Sequence, residues 1–401
     1  MRILWVKPGG LWPLNVGGRL RSFHILSELS RQHQVTVLTT HRPGENHDDL
    51  TQHLPHCERV TSFEHSAPKA GTASFAGMLA RSWTSALPVD LLKWRVPALR
   101  AEVESILNSG NVDVCVADFL YGAVNMPSGT SVPVVLFSHN VEHILWKRLA
   151  DNENRPWRRA VLEVEWRKMR SSERSACARS RMVVAVSSQD AACLGENAPG
   201  ARIRSMPTGV DTHYFRANGT PEVPAHLVFS GAMDWYPNED AMLFFMNEIL
   251  PLVRHEIPEV TVTVAGRNPS ARFRAAGDAA GVRITGTVDD VRSFIDAGAV
   301  YVVPLRIGGG TRLKIFEALS MGKAVVSTSI GAEGLPLVAE QHYVRADGAA
   351  DFSHAVVSLL RDPARRRVLG ETGRDFVQAH YSWQEVARTF ETHCEEALRG
   401  H

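Results

Sequence analysis

The chain has 401 residues, 44% of them hydrophobic and 22% charged, with a formal net charge of +1. That length exceeds one ordinary core and points to two domains of about 200 residues each. The composition is globular, and a near-neutral balance excludes a general nucleic-acid binder.

The five cysteines, Cys57, Cys115, Cys177, Cys193 and Cys394, are odd in number and scattered, without a CxxC pair. Neither a disulfide framework nor a zinc site is indicated, and a reducing cytoplasm is expected. The chain opens on the strand-like MRILWVK without a signal-peptide core, and no apolar run reaches about 20 residues. Neither a membrane span nor export by that route is expected.

Strand and helix patterns alternate from the start. Ile3 to Val6 reads as a strand, Arg19 to about Gln32 as a helix and Val35 to Thr39 as a second strand, a βαβ opening. Residues 61–90, rich in Ser, Ala, Thr and Gly, read as a surface excursion. Short continuous apolar strands follow at Val112 to Ala117 and Val134 to Phe137, and Met182 to Val186 is expected to close the first sheet. The segment RSMPTGVDTHYF, broken by Pro207 and Gly209, marks the domain boundary. A second series runs through Leu227 to Ser230, Val260 to Ala265, Val282 to Thr285, Val300 to Val303 and Ala324 to Ser327. The two series predict an α/β chain of two Rossmann-like, doubly wound parallel sheets, over 1–205 and 206–381. A terminal helix over 382–401 would bury Trp383, Val386 and Phe390.

In open α/β sheets ligands bind beyond the carboxyl ends of the strands, which makes the residues just after each strand the ones to question. After the first strand, Gly17 and Gly18 precede a helix and could offer amides to an anion, or could form a plain tight turn. Further on stand Asp118 and His139, the latter as readily a structural hydrogen-bonding residue as a functional one. In the second series come Gly231 and Asp234, then Gly266 and Arg267.

Residues 301–323, YVVPLRIGGGTRLKIFEALSMGK, carry the densest signal. Pro304 ends a strand, and Gly308, Gly309 and Gly310 let the backbone turn and approach a ligand closely. Thr311 is a good N-cap for a helix whose apolar stripe is Leu313, Phe316 and Leu319. Bare amides, a helix start, Arg312 and Lys314 suit a bound anion, most economically a diphosphate. The bland alternative is a glycine hinge with Lys314 and Glu317 paired on a solvated surface, worth about 0.2–0.5 kcal/mol. Asp289 and Asp290 suit the start of a helix near Val291 better than a metal site.

VGGRLRSFHILSELS, MPTGVDTHYF, VTVTVAGRNP, VRITGTVDDV and above all PLRIGGGTRLKIFEALSMGKAVVSTSIGAEGL give the chain a resemblance to bacterial family 4 glycosyltransferases. The likeness covers nearly the whole length, and within the family it is nearest to sugar transferases of exopolysaccharide clusters. It implies the GT-B architecture, two Rossmann lobes facing across a cleft. It also implies transfer from a nucleotide diphosphate sugar to a glycan or lipid-linked acceptor, usually with retention and without a cofactor or bound metal. The donor would lie on the second lobe and the acceptor on the first, with the terminal helix packed back on the first. The family usually carries a Glu-x7-Glu pair; Glu317 matches the second, ribose-holding Glu, while Gly309 stands at the first. The usual diphosphate-clamping Arg and Lys fall on Ala232 and Asn238. Arg312 and Lys314 would then supply the missing charge, with His139 at the donor sugar or reacting centre and Gly17 and Gly18 approaching from the other lobe.

Two rivals share this plan: an epimerase or phosphorylase acting on the same donor, and a silent nucleotide-sugar-binding protein. Finally, Arg155 to Arg181 holds nine basic residues against three acidic, with Trp157, Val161, Leu162, Val164 and Trp166 between them. It reads either as a long solvated helix or as a surface for an anionic membrane.

Overall fold

The structure, a computed structural model, describes residues 1–14, 17–45, 48–307 and 312–400. Contacts divide the chain into two compact units, Met1–Pro207 with Val386–His401, and Thr208–Glu385.

Among the described residues of the first unit, seven parallel strands form one sheet: β1 Arg2–Lys7, β2 Gln34–His41, β3 Arg59–Glu64, β4 Val114–Asp118, β5 Val134–Ser138, β6 Met182–Ala185 and β7 Ile203–Ser205. Their order is β3-β2-β1-β4-β5-β6-β7, with Ile3 opposite both Val35 and Val114. β1 is buried from Ile3 to Lys7, as a strand covered on both faces must be. The expectation that the Met182 strand closes the sheet is corrected, because β7 pairs beyond it. Residues 61–90 are no simple excursion either: β3 begins at Arg59, and the helix Ala73–Ser82 is capped by Thr72, whose side chain accepts from the Phe75 amide. Both edge strands escape a sequence reading because they are short or half-polar, and edges need no continuous apolar run.

The second unit repeats the plan with β8 His226–Ser230, β9 Thr261–Ala265, β10 Arg283–Ile284, β11 Val300–Val303, β12 Ala324–Ser327 and β13 Val344–Arg345. The order is β10-β9-β8-β11-β12-β13, again all parallel. In each unit the first strand of the series lies between the second and the fourth. The strand order therefore reverses beside β1 and beside β8, the place where such sheets bind ligands.

Aromatic side chains fill both cores. Phe390, on the helix Trp383–Arg399, lies 5.3 Å from the Trp5 ring and 5.1 Å from Phe137, and all three are fully buried. Phe229, Phe245, Phe273 and Phe352 anchor the second core. Trp383 covers Gly209, where a Cβ would stand 2.6 Å from the indole.

Candidate active site

At the switch point of the second unit, the strand ends are tied together before any side chain faces solvent. The Tyr301 hydroxyl of β11 lies 2.6 Å from the Ser230 hydroxyl and accepts from the Ser230 amide at 3.2 Å. Directly after Ser230 comes Gly231, whose carbonyl would be 1.8 Å from a Cβ at Gly266. Two glycines let the ends of β8 and β9 close on each other.

A lysine fills the space this creates. A Cβ at Gly231 would lie 2.7 Å from the Lys314 ammonium and 2.9 Å from the Asn238 amide. Lys314 Nζ donates to Asn238 Oδ1 at 2.6 Å, Asn238 Nδ2 donates to the Ala232 carbonyl at 2.8 Å, and the ammonium stands 4.1 Å from the Phe229 ring centroid. Lys314 and Glu317 are one helical turn apart on Leu313–Ser320 and line the same cavity of about 640 Å³. Burial pushes the Lys314 ammonium down to about 7, with Glu317 opposing the shift. It pushes the Glu317 carboxyl up to about 7, with Lys314 opposing. Both groups are partly exposed and line the cavity, rather than standing on a fully solvated helix surface.

The cavity also receives Arg267 and Arg312. Arg267 is more than half exposed and lies 3.8 Å from Asp234. Arg312 takes a left-handed conformation, φ 52°, just before the helix. Its guanidinium is buried, donating to the Ile330 carbonyl at 3.2 Å and to Glu333 at 3.1 Å. Of the three cations, Lys314 is held by Asn238 while Arg312 also fastens the helix start to Ile330 and Glu333. The buried face of the helix is Ile315, Phe316, Ala318 and Leu319; Leu313, half-buried, packs against the same cluster and also lines the cavity. Gly308, Gly309, Gly310 and Thr311 lie outside the described residues.

Asp290 accepts from the Arg292 amide at 2.9 Å and pairs with its guanidinium at 2.7 Å, which holds the carboxyl down to about 2. Among the described residues no group of three or more His, Cys, Asp and Glu side chains is placed to hold a metal ion.

In the first unit, His139 follows β5 and is 3% exposed. Its Nε2 lies 2.9 Å from Asp118 Oδ1, while Asp118 Oδ2 accepts from the Trp5 indole at 2.8 Å and Lys7 stands 3.8 Å away. Burial pushes the Asp118 carboxyl up, but Lys7 and His139 outweigh it and keep it below its ordinary range. Burial drives His139 down to about 4 against the pull of Asp118, leaving a neutral ring at pH 7. A carboxylate only accepts, so Nε2 carries the proton and Nδ1 is a bare acceptor, without a protein hydrogen-bond partner among the described residues. Phe119, itself at φ 62°, stacks on the imidazole at 3.9 Å. Gly18 fits against the Phe119 ring, where a Cβ would stand 2.5 Å from its edge; Gly17 opens the helix Gly17–Leu29 with nothing near its Cβ position. Reading the sequence did not foresee Asn238 as a partner of Lys314. The signal was there, in an amide standing where a cation is usual.

Residues 21–214 match the family model described as Glycosyltransferase Family 4, and residues 224–362 match that described as Glycosyl transferases group 1. An uncharacterized 44.6 kDa protein in the cps region of Klebsiella pneumoniae is 21% identical over 399 residues, covering 96% of this chain and 97% of its own. A GDP-mannose-dependent monoacylated alpha-(1-6)-phosphatidylinositol monomannoside mannosyltransferase of Corynebacterium glutamicum is 24% identical over 201 residues, 45% of this chain and 52% of the relative. Among solved structures, sucrose-phosphate synthase from Thermosynechococcus elongatus superposes with a TM-score of 0.64 at 15% identity, covering 100% of both chains. Anabaena HepE in complex with UDP gives 0.66 at 11% identity, covering 99% and 100%.

Two doubly wound units of this order, with these matches along both, define a glycosyltransferase on the two-Rossmann GT-B plan. The chain belongs to glycosyltransferase family 4. No helix among its described residues is long and apolar enough to cross a membrane.

Proposed function

We propose that the enzyme moves a sugar from a nucleotide diphosphate sugar to a glycan or lipid-linked glycan, with retention and without a metal, in exopolysaccharide or cell-envelope glycan synthesis in the cytoplasm. The observation that carries this reading is the Lys314 ammonium, held by Asn238 at the end of β8 in a cavity shared with Glu317. A departing diphosphate gains negative charge as the glycosidic bond breaks, and a fixed, desolvated cation favours that state over the ground state. Lys314 takes the diphosphate together with Arg312, which caps the helix Leu313–Ser320. Glu317 holds the ribose hydroxyls, and Gly231 and Arg267 border the donor. On the first unit His139 stands with Gly17 and Gly18, and its neutral Nδ1, buried in this structure, would take a sugar hydroxyl only once uncovered. Support for the donor class comes from structures of similar fold that hold UDP and UDP-glucose; support for the pathway comes from the cps-region relative.

The test is a panel of nucleotide sugars incubated with the protein, with and without acceptor extract, read by release of free nucleoside diphosphate. Release from one donor, accelerated by extract, is expected. Interconversion of the donor sugar without release would instead mark an epimerase, and phosphate-dependent cleavage a phosphorylase.

A further inference from the structure

The helices Glu142–Asp151 and Pro156–Arg179 pack against each other as a hairpin through Lys147, which reaches Glu163 at 2.7 Å, and through His143, which meets Glu173. Every carboxylate between 142 and 181 is buried or paired. Glu142, Glu165 and Glu173 are buried, Asp151 and Glu163 hold Lys147, and Glu153 stands 4.0 Å from Arg158. The arginines do the opposite. Arg148, Arg155, Arg159, Arg167 and Arg174 are exposed, and none has an ion-pair partner among the described residues.

Large apolar side chains stand among them. Trp157 is 64% exposed, Leu149 56%, Val164 44% and Leu145 40%. Leu145 and Leu149 are one turn apart on the first helix, and Trp157 and Val164 two turns apart on the second, so each pair shares a face. Trp83, 63% exposed, stands beside the second helix, because the Ser82 carbonyl accepts from Lys168 at 2.6 Å. A solvated helix gains nothing by showing tryptophan and leucine to water. A polyanion such as DNA attracts the arginines but gives leucines no apolar medium to enter, whereas an anionic bilayer satisfies both.

We infer that the 142–179 hairpin is a docking surface for an anionic phospholipid bilayer, lying in the headgroup layer with Leu145, Leu149, Trp157 and Val164 inserted and the arginines on lipid phosphates. Such docking would bring the enzyme to a lipid-linked acceptor, but it stands independently of the transfer chemistry, since its readout is binding.

The full chain is floated on a density gradient with vesicles of phosphatidylcholine alone, or of phosphatidylcholine with about a third phosphatidylglycerol. A short DNA duplex serves as a competing polyanion. Flotation with the anionic vesicles only, reversed by about 0.5 M salt, is expected. The triple variant Arg155→Gln/Arg159→Gln/Arg167→Gln should lower partitioning at least about tenfold, and Leu149→Ser/Trp157→Ser at least about fivefold. Absence of flotation, or equal flotation with neutral vesicles, would overturn the proposal. So would equal capture by DNA with no effect of the Leu149/Trp157 pair, which would make the hairpin a general polyanion surface. Far-ultraviolet circular dichroism shows that the altered exposed side chains leave the fold intact, and the salt reversal needs no variant at all.

Discussion

Asn238 and Lys314 meet end to end: the amide oxygen accepts from the ammonium at 2.6 Å, and the amide nitrogen anchors on the Ala232 carbonyl. If the resemblance sets the diphosphate clamp at Ala232 and Asn238, the proposed site takes its positive charge from Lys314 on the helix, with Asn238 holding it. Replacing Lys314 with Met should lower kcat by about 10² to 10³, the usual effect of removing one preorganised group at developing charge. Adding Asn238→Lys to that variant should recover a measurable part of the loss. Steady-state kinetics on the two variants decides it; a double variant no better than the single one means that Asn238 never marked the charge.

Lys314 and Glu317, half-buried and one turn apart, set a pH window. Glu317, pulled up to about 7, is protonated below that pH, and Lys314, pushed down to about 7, loses its proton above it. The ionised pair, which the proposed donor binding requires, is therefore most populated between two apparent values that belong to the pair, not to either residue. A bell-shaped kcat/KM profile centred near pH 7 is expected. Glu317→Gln should flatten the acid limb and Lys314→Met the alkaline limb.

Gly231→Ala should act through the lysine. The new methyl would meet the Lys314 ammonium at 2.7 Å and the Asn238 amide at 2.9 Å, so both must move. Nucleoside diphosphate affinity, measured by calorimetry, should fall at least about tenfold, while the melting temperature shifts by only a few degrees. A variant with unchanged affinity would show that the ammonium need not stand there.

Phe390→Ala removes a fully buried ring from between Trp5 and Phe137. The expected loss is about 3–5 kcal/mol in the first unit, read as a lowered urea midpoint in tryptophan fluorescence, since Trp5 lines the cavity left behind.

Much of the fold was legible because parallel strands covered on both faces must be apolar throughout. Val300–Val303 and Ala324–Ser327 have the bounds read from their residues. The edges were not legible: Arg59–Glu64 and Ile203–Ser205 bury little, so hydrophobicity does not mark them. In the cavity, Lys314, Glu317, Gly231 and Arg267 were found by residue type and position, and the structure lines one space with them. What no spacing could give was the partner: Arg312 turns to Glu333 and Lys314 to Asn238, residues far off in the chain. The Trp5–Asp118–His139 network is equally silent in sequence, joining three strands that lie more than a hundred residues apart at the extremes.

At Gly266 a Cβ would stand 1.8 Å from the Gly231 carbonyl, which bears on how the proposed donor site could change its preference. Where two main chains touch, no side chain can be introduced to reshape the floor, so that part of the basin is frozen whatever mutation supplies. Selection for a different base or sugar is left only the rim, at side chains such as Trp235, Arg267 and Thr287. Diversity in substrate choice should therefore accumulate around the mouth while its bottom stays invariant.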